Sequence, residues 1–329
     1  MIGNISFHTV FIYLTEKCNL RCKYCYFRDK RARSLTFHTV EKFLHFFDFN
    51  KPKCFELSGG EPLLLWPLVK RIISYLKANF RQLDLGIQTN GLLLDDEKLS
   101  FIKRNKVMLE IGLDGSFQST AAYRKGIDKT GFLSLIKNIK KSLKKQIDLS
   151  CTMTVHPQEA SKIRENFKFI QSLGVKEIDV TPAAFMDWDY KSIKIFKQEY
   201  QFLMDDKNNR KDVFTEEDKE FIQNNLIDLS LHPPGYLFCG DAYLCLPEQI
   251  RNKYSLADFN QKDFFNKHLF NFYLKKYKKY LNQHTKNPTY RDYISVGFEI
   301  VNSLTNKNYL NTKVMIDFHN FLKKVHLQF

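Results

Sequence analysis

The sequence lacks any uncharged apolar run close to the ~18 residues that a membrane-spanning helix needs. Its most apolar stretch, residues 62–69, contains two prolines. No basic segment precedes an apolar run at the N-terminus, which argues against a secretory signal. Glycine is scarce, at 13 of 329 residues, and neither a low-complexity linker nor a block of six like charges occurs. These absences exclude collagen-like and largely disordered proteins and leave no role for a membrane.

The composition that remains is globular, with 43% apolar and 26% charged residues. At roughly 150 residues per domain, the chain can form two domains, or one α/β barrel with an extension. The net charge of +15 indicates an acidic partner, such as an acidic peptide or a nucleic acid. The alternative is compositional drift, because lysine and asparagine are spread along the whole chain. We favour the compositional explanation, so that nucleic-acid binding stays open without being preferred.

Seven cysteines form an odd set, and three of them lie within eight residues. This pattern makes a poor disulfide framework and is typical of a metal site. It predicts a reducing compartment, and therefore a cytoplasmic protein.

Over the first 180 residues, short apolar runs alternate with longer amphipathic ones. The runs predict strands at Thr9–Leu14, Cys54–Leu57, Asp84–Thr89, Val107–Leu113, Leu149–Val155 and Glu177–Thr181. The amphipathic stretches predict helices at Thr36–Phe47, Leu68–Asn79, Asp95–Arg104, Gly131–Lys145 and Glu159–Leu173. Repeated βαβ units of this kind predict an α/β fold with a parallel sheet. Six units suit a partial (β/α)6 TIM-like barrel, whose function would sit at the carboxyl ends of the strands.

The pattern changes near Trp188, where we place a domain boundary. Residues 1–188 would form the barrel, and residues 189–329 a C-terminal extension in which the substrate is chosen. Within this extension, a Pro-Pro-Gly turn and a short apolar piece lie at Leu231–Gly240, and Lys-, Tyr- and Phe-rich amphipathic helices are predicted over 263–329. We expect these helices to cap the barrel, although a basic aromatic surface for an acidic peptide or RNA is the alternative.

The central motif is a C-x3-C-x2-C triad, Cys18, Cys22 and Cys25, which directly follows the first predicted strand. Three thiolates on one loop can hold three corners of an iron–sulfur cluster, whereas ordinary electron-transfer clusters need a fourth protein ligand. No further cysteine or histidine lies nearby after Cys25, so an open iron could bind a small molecule. The alternative is a structural zinc site completed by a remote residue.

With this triad, residues 5–185 resemble the radical S-adenosylmethionine (radical SAM) enzymes. The resemblance implies that Cys18, Cys22 and Cys25 bind one [4Fe–4S] cluster, with Tyr24 at the aromatic position of the motif. It also implies that S-adenosylmethionine (SAM) chelates the unique iron. Reductive cleavage of SAM would then yield a 5′-deoxyadenosyl radical, which abstracts hydrogen from a substrate.

Four further stretches support the resemblance and imply contacts to SAM. The GGEP motif contributes Gly59, Gly60 and Glu61, where a carboxylate and bare backbone suit an amino group. The other implied contacts are Asn90 of a TNG stretch, Asp114 of an LDG stretch and Arg124 of a Tyr-Arg pair. The peptide-modifying subgroup has serine where this chain has Gly112. An arginine fork suits the SAM carboxylate.

The passage from His232 to Asp258 partly resembles the hairpin of the SPASM and twitch extensions, which carry auxiliary iron–sulfur clusters. A complete SPASM extension needs about seven cysteines, and this chain offers Cys239 and Cys245. We therefore expect a degenerate extension without an auxiliary cluster. Cys54 and Cys151 fall in predicted strands, where we expect small buried side chains.

Taken together, the resemblance implies a radical SAM enzyme of the SPASM/twitch, sulfatase-maturase-like subgroup, acting on a peptide or protein. A one-electron reductant such as flavodoxin or ferredoxin would supply an electron to the cluster. The alternatives are a glycyl-radical-enzyme activase, an RNA-modifying radical SAM enzyme and a non-catalytic iron–sulfur scaffold or sensor. The sequence identifies neither the catalytic acid or base nor the bond formed.

Overall fold

The computed structural model describes residues 9–25, 33–46, 54–80, 83–183, 186–205, 235–238, 241–243, 257–258 and 321. The elements in chain order are β1 (Thr9–Tyr13), β2 (Arg21–Cys22), α1 (Phe37–Phe46), β3 (Cys54–Ser58), α2 (Trp66–Asn79), β4 (Asp84–Thr89), α3 (Asp96–Arg104), β5 (Met108–Gly112), α4 (Phe117–Tyr123), β6 (Arg124–Lys125), α5 (Lys129–Lys144), β7 (Leu149–Val155), α6 (Ile163–Ser172), β8 (Glu177–Pro182), α7 (Tyr190–Asp205), β9 (Gly235–Phe238), β10 (Asp241–Tyr243) and β11 (Ala257–Asp258). Short 3-10 helices, Pro62–Leu65 and Pro157–Lys162, precede α2 and α6.

The chain divides into two compact units. The first comprises Met1–Lys17, Tyr26–Leu85 and Glu220–Thr312, and the second comprises Cys18–Cys25, Gly86–Lys219 and Lys313–Phe329.

In the first unit, β1 lies between β3 and β9 and runs parallel to both. Strands β9, β10 and β11 continue as antiparallel neighbours. Alternate residues of β1 and β3 are buried, as expected for strands with one face in a core. Helix α2 contributes a buried apolar stripe at helical spacing, formed by Val69, Ile72, Ile73 and Leu76.

In the second unit, β4, β5, β7 and β8 are parallel neighbours in that order. One face of these strands is apolar and buried, with Ile87, Leu109, Ile111, Cys151, Met153, Ile178 and Val180. The opposite face is polar and carries Gln88, Glu110, Thr152 and Asp179. Buried stripes of α3, α5 and α6 complete the core of this unit. The strands thus present a polar face on which a site can be built.

The predicted α/β class with six parallel strands is confirmed, and each predicted strand lies within one residue of an observed one at both ends. Helix α4 and the two-stranded ladder of β2 and β6 were not predicted. Cys151 is buried as expected, whereas Cys54, the first residue of β3, is only half-buried. The predicted helices over 263–329 lie outside the described residues, apart from the helical position Phe321. The domain boundary near Trp188 stays a prediction.

None of the helices in the described ranges has the length and apolar character required to cross a membrane.

Candidate functional site

The cysteine loop, Cys18–Cys25, is fastened by backbone hydrogen bonds within the second unit. Strand β2 pairs antiparallel with β6, which sets Cys22 opposite Arg124. The Lys23 N–H donates to the Tyr123 carbonyl at 2.8 Å, and the Cys25 N–H donates to the Cys22 carbonyl at 3.2 Å. The predicted triad is therefore carried on a loop whose middle is held by Tyr123, the last residue of α4, and by the strand β6 that follows it.

Cys18 is surrounded by nitrogen donors. The Leu20 N–H donates to Cys18 Sγ at 3.3 Å, and Asn90 Nδ2 lies 3.9 Å from the same sulfur. Asn90 Nδ2 also donates to Asn19 Oδ1 at 2.7 Å, and Asn90 Oδ1 accepts from the Leu92 N–H at 3.1 Å. These contacts hold the sulfur that would bind one iron of a cluster. Asn90, predicted to contact SAM, is thus used to hold the first cysteine.

Cys22 lies deeper, and burial raises the pKa of its thiol to about 11. The positive charge of Arg124 acts in the opposite direction and lowers this pKa, while Cys25 and Cys18 are close enough to raise it. Three thiolates near one another and beside a buried cation fit an iron–sulfur cluster, whose net negative charge the cation would offset.

Within the described ranges, no three His, Cys, Asp or Glu side chains converge as they would around a single metal ion. Cluster ligands are not expected to do so, because each thiolate binds a different iron at its own corner.

Asp114, just after β5, accepts hydrogen bonds from three parts of the second unit. Arg124 binds it in a bidentate manner, with Nε to Oδ2 at 3.0 Å and Nη2 to Oδ1 at 2.7 Å. The Tyr24 hydroxyl donates to Oδ2, and the Thr154 N–H donates to Oδ1 at 3.2 Å. Asp114 therefore joins the cysteine loop, β6 and the carboxyl end of β7. We call these four residues the Asp114 cluster.

The ion pair at the centre of the Asp114 cluster is buried, with Asp114 only 5% and Arg124 only 8% exposed. Burial lowers the pKa of Arg124, but Asp114, Tyr24 and Cys22 together raise it well above its ordinary value. For Tyr24, burial is the main reason for a raised pKa, and Asp114 adds to it. The cluster thus fixes a buried ion pair beside the cysteine loop, and at Cys22 the charge of Arg124 acts more strongly than that of Asp114.

Gly112 explains the departure from serine that the sequence showed. A Cβ at this position would lie 2.8 Å from Arg124 Nη2 and 2.9 Å from its Cζ, with Nη1 closer still. Such contacts are shorter than van der Waals distances, so any side chain here would displace the guanidinium. The absence of a side chain at position 112 therefore leaves room for the buried guanidinium of Arg124.

The GGEP motif lies in the first unit, where its backbone donates hydrogen bonds to Thr15 and Lys17, just before the cysteine loop. The Gly60 N–H donates to the Thr15 carbonyl at 2.6 Å, and the Glu61 N–H donates to the Lys17 carbonyl at 2.9 Å. A Cβ at Gly60 would lie 2.7 Å from the Lys17 carbonyl carbon, so only glycine allows this approach. Gly59 adjoins it with φ +142°.

Glu61 is fully buried and caps a 3-10 helix. Its Oε1 accepts from the Leu63 N–H at 3.0 Å. The carboxylate predicted to meet the SAM amino group is thus held in place by local backbone.

Sequence reasoning missed some residues of the site. Asn19 and the Thr154 amide take part in holding the loop and the Asp114 cluster. Gln88, Glu110 and Thr152 form a hydrogen-bonded group on the polar strand face. The signal for this group was a charged residue inside an otherwise apolar strand, Met-Leu-Glu-Ile-Gly.

Comparison with known proteins defines the class of the chain. Residues 12–170 match the family model of the Radical SAM superfamily, so this part of the chain is a radical SAM domain. The resemblance that the cysteine triad indicated is thereby confirmed for this domain.

Among curated proteins, the chain is similar to a cysteine-type anaerobic sulfatase-maturating enzyme from Clostridium novyi. The two are 26% identical over 182 residues, which cover 51% of this chain and 49% of that protein. It is also similar to the antilisterial bacteriocin subtilosin biosynthesis protein AlbA of Bacillus subtilis, at 27% identity over 169 residues, covering 50% and 36% of the two chains. The chain thus spans about half the length, or less, of these relatives.

Among solved structures, the fold is similar to native anSMEcpe with bound AdoMet and Cp18Cys peptide. The TM-score is 0.65 at 16% identity, over 96% of this chain and 99% of that one. This similarity supports the fold, and the predicted resemblance to the sulfatase-maturase-like subgroup is confirmed.

Proposed function

We propose that this chain is a radical SAM enzyme that cleaves SAM reductively and abstracts hydrogen from a peptide or protein. The observation that carries the proposal is the Asp114 cluster, which joins the triad-bearing loop to the carboxyl ends of parallel strands. In α/β folds, this end of the strands is where ligands bind.

In this proposal, Cys18, Cys22 and Cys25 hold one [4Fe–4S] cluster, and no auxiliary cluster is present. When bound, the cluster and SAM supply the electron and the 5′-deoxyadenosyl radical. The protein's part is to hold the three thiolates and to offset their charge. The donors around Cys18 and the guanidinium of Arg124 are suited to these two tasks.

Arg124 would bind the carboxylate of SAM, because a fixed guanidinium matches a carboxylate geometrically. Asp114 and Tyr24 would act through Arg124, since both Asp114 oxygens already accept hydrogen bonds from the cluster residues. Asn90 would act mainly by holding the cysteine loop.

Glu61, with Gly59 and Gly60, would bind the SAM amino group, as the resemblance implies. The capping bond from Leu63 keeps the Glu61 carboxylate in place.

A peptide or protein substrate is favoured by the names of the relatives, which include a sulfatase-maturating enzyme and a bacteriocin biosynthesis protein. The chemistry needs a low-potential one-electron reductant, for which flavodoxin or ferredoxin is suited. We place the protein in the cytoplasm, where such reductants are found.

The substrate class can be tested by deuterium transfer. The anaerobically reconstituted protein is incubated with SAM, reductant and either peptides or RNA from cells grown in deuterated medium. We expect deuterium in 5′-deoxyadenosine from the peptide pool, because hydrogen abstraction moves a substrate hydrogen onto the 5′ carbon. Deuterium from the RNA pool alone, or from neither pool, would contradict the proposal.

A further inference from the structure

Glu110 is a carboxylate on the polar strand face of the second unit, in line with the Asp114 cluster. It lies on β5 two residues before Gly112, and the side-chain position of Gly112 meets the Arg124 guanidinium. Residues two apart on a strand point to the same face and lie roughly 7 Å apart. Glu110 therefore sits one strand repeat below the buried arginine, on the face that carries the site.

The side chain of Glu110 is oriented by both neighbouring strands. Gln88 of β4 donates its Nε2 to Glu110 Oε1 at 2.7 Å, and the Thr152 hydroxyl of β7 donates to the same oxygen. The register supports this, because Gln88 lies directly opposite Glu110 in the β4–β5 pair. Both of these bonds fall on Oε1, so they fix the carboxylate and leave Oε2 directed elsewhere.

Glu110 is deep in the unit and yet keeps part of its surface accessible. Burial raises the pKa of this carboxyl, against the two hydrogen bonds from Gln88 and Thr152, and the negative charge of Asp179 adds to the rise. A carboxylate that is stripped of most of its water, and that has no cation of its own among these contacts, gains most from a cation supplied by a ligand.

The surroundings contain no competing positive charge from the strands themselves. The sequences of β5, β7 and β8 include Glu110, Glu177 and Asp179 but neither lysine nor arginine. The Arg124 guanidinium lies on the same face, but it is already paired with Asp114, and the side chains that β5, β7 and β8 themselves contribute include carboxylates and no basic group.

We propose that Glu110, held by Gln88 and Thr152, binds a cationic side chain of the peptide substrate, an ammonium or guanidinium group. Oε2 accepts the charge-assisted hydrogen bond, and the hydrogen that reacts lies above it, nearer the cysteine loop. This inference rests on the proposed function for the peptide nature of the substrate. It adds that the recognised residue of the peptide carries a positive charge.

The test compares peptide binding by wild-type protein and Glu110→Gln, which removes the charge at nearly constant shape. The probes are two synthetic octapeptide pools, randomised at seven positions and carrying either arginine or its neutral isostere citrulline at the fixed position. Equilibrium dialysis against the anaerobically reconstituted protein, followed by mass spectrometry, gives the ratio of affinities. We expect the wild type to favour the arginine pool about 10-fold or more, and Glu110→Gln to remove this preference.

Two further variants keep the result interpretable. Glu165→Gln removes an exposed carboxylate on α6 and should retain the wild-type preference. Thr152→Val removes one of the two donors that orient Glu110, so its preference should fall between wild type and Glu110→Gln. Equal affinity of the wild type for both pools, or a preference that survives in Glu110→Gln, would overturn the assignment.

SAM cleavage without peptide separates this inference from the proposed function. Glu110→Gln should form 5′-deoxyadenosine within about two-fold of the wild-type rate, since Glu110 lies outside the Asp114 cluster. A large loss of this basal cleavage would mean that Glu110 serves SAM instead, and would also overturn the assignment. Absence of cleavage in the wild type would instead count against the proposed function.

Discussion

The guanidinium of Arg124 occupies the space that any side chain at position 112 would need. Glycine at this position is thus the counterpart of a buried arginine, and the two residues are twelve positions apart in the sequence. Arg124 also binds Asp114 and lies opposite Cys22 in the β2–β6 ladder. A substitution at Gly112 that displaces Arg124 should therefore also disturb the cysteine loop.

Gly112→Ser, which restores the residue of the peptide-modifying subgroup, should be harmful in this chain. The added side chain would push the guanidinium away from Asp114 and cost about 1–3 kcal/mol of unfolding free energy. Urea unfolding and iron content after reconstitution would measure both effects. Gly131→Ala in helix α5 is the matched control and should change stability much less, because its Cβ would approach only Asp128 Oδ1, at 3.3 Å, which needs to move by a few tenths of an ångström. Equal stability of both variants would contradict the account.

Asp114→Asn should leave the buried Arg124 without its counter-charge. Breaking a buried ion pair on one side typically costs about 3–5 kcal/mol. The comparison is Asp96→Asn, which removes the exposed pair that Lys141 forms with Asp96 at 2.8 Å. Exposed pairs contribute about 1 kcal/mol or less. If both variants unfolded at the same urea concentration, the buried pair of Asp114 and Arg124 would not stabilise the fold more than the exposed pair does, which would contradict this prediction.

Iron analysis should give about four irons per chain in the reconstituted wild-type protein, as for a single [4Fe–4S] cluster. A double variant, Cys239→Ala with Cys245→Ala, should keep this number, because two thiolates cannot supply the ligands of an auxiliary cluster. About eight irons in the wild type would show that the extension is not degenerate.

His156 should make stability fall at acidic pH. Burial lowers the pKa of this imidazole, Lys23 adds to the effect, and Glu159 opposes it. Between the lowered pKa and the ordinary value of 6.5, the unfolded chain binds a proton that the folded chain does not. The stability from neutral His156 is therefore complete above about pH 6.5 and is lost as the pH falls below that value.

The measurement is the urea-unfolding free energy of the cluster-free chain between pH 7.5 and pH 5.5. His156→Asn should lose less stability over this range than the wild type does. An identical pH dependence of the two proteins would contradict the assignment to His156.

Much of the fold could be predicted because the burial of the strands follows their sequence pattern. Strand β7 alternates strictly, with Leu149, Cys151, Met153 and Val155 buried, and such a pattern is readable without a structure. Helix α4 was missed because its seven residues are too short and too polar for a helical stripe. Its signal was Ser116, whose hydroxyl caps the helix by accepting from the Ser119 N–H.

The structure brings several of the predicted site residues together, but their contacts could not be predicted from the sequence. The triad is a local spacing pattern, and the GGEP motif was identified through the resemblance that the triad indicated. The hydrogen bond between Tyr24 and Asp114 joins residues 90 positions apart, and no local pattern encodes it. The same holds for the placement of Gly112 against Arg124, which turned an apparent departure from the subgroup into a packing requirement.

The most direct test of the central claim is SAM cleavage by the wild type and by Cys22→Ala. Both proteins are reconstituted anaerobically with iron and sulfide, reduced with dithionite, and assayed for 5′-deoxyadenosine, with Cys151→Ala as a control cysteine outside the loop. We predict 5′-deoxyadenosine from the wild type and from Cys151→Ala, and none from Cys22→Ala, because one lost ligand removes the cluster. Failure of the wild type to form it, or undiminished formation by Cys22→Ala, would contradict the account.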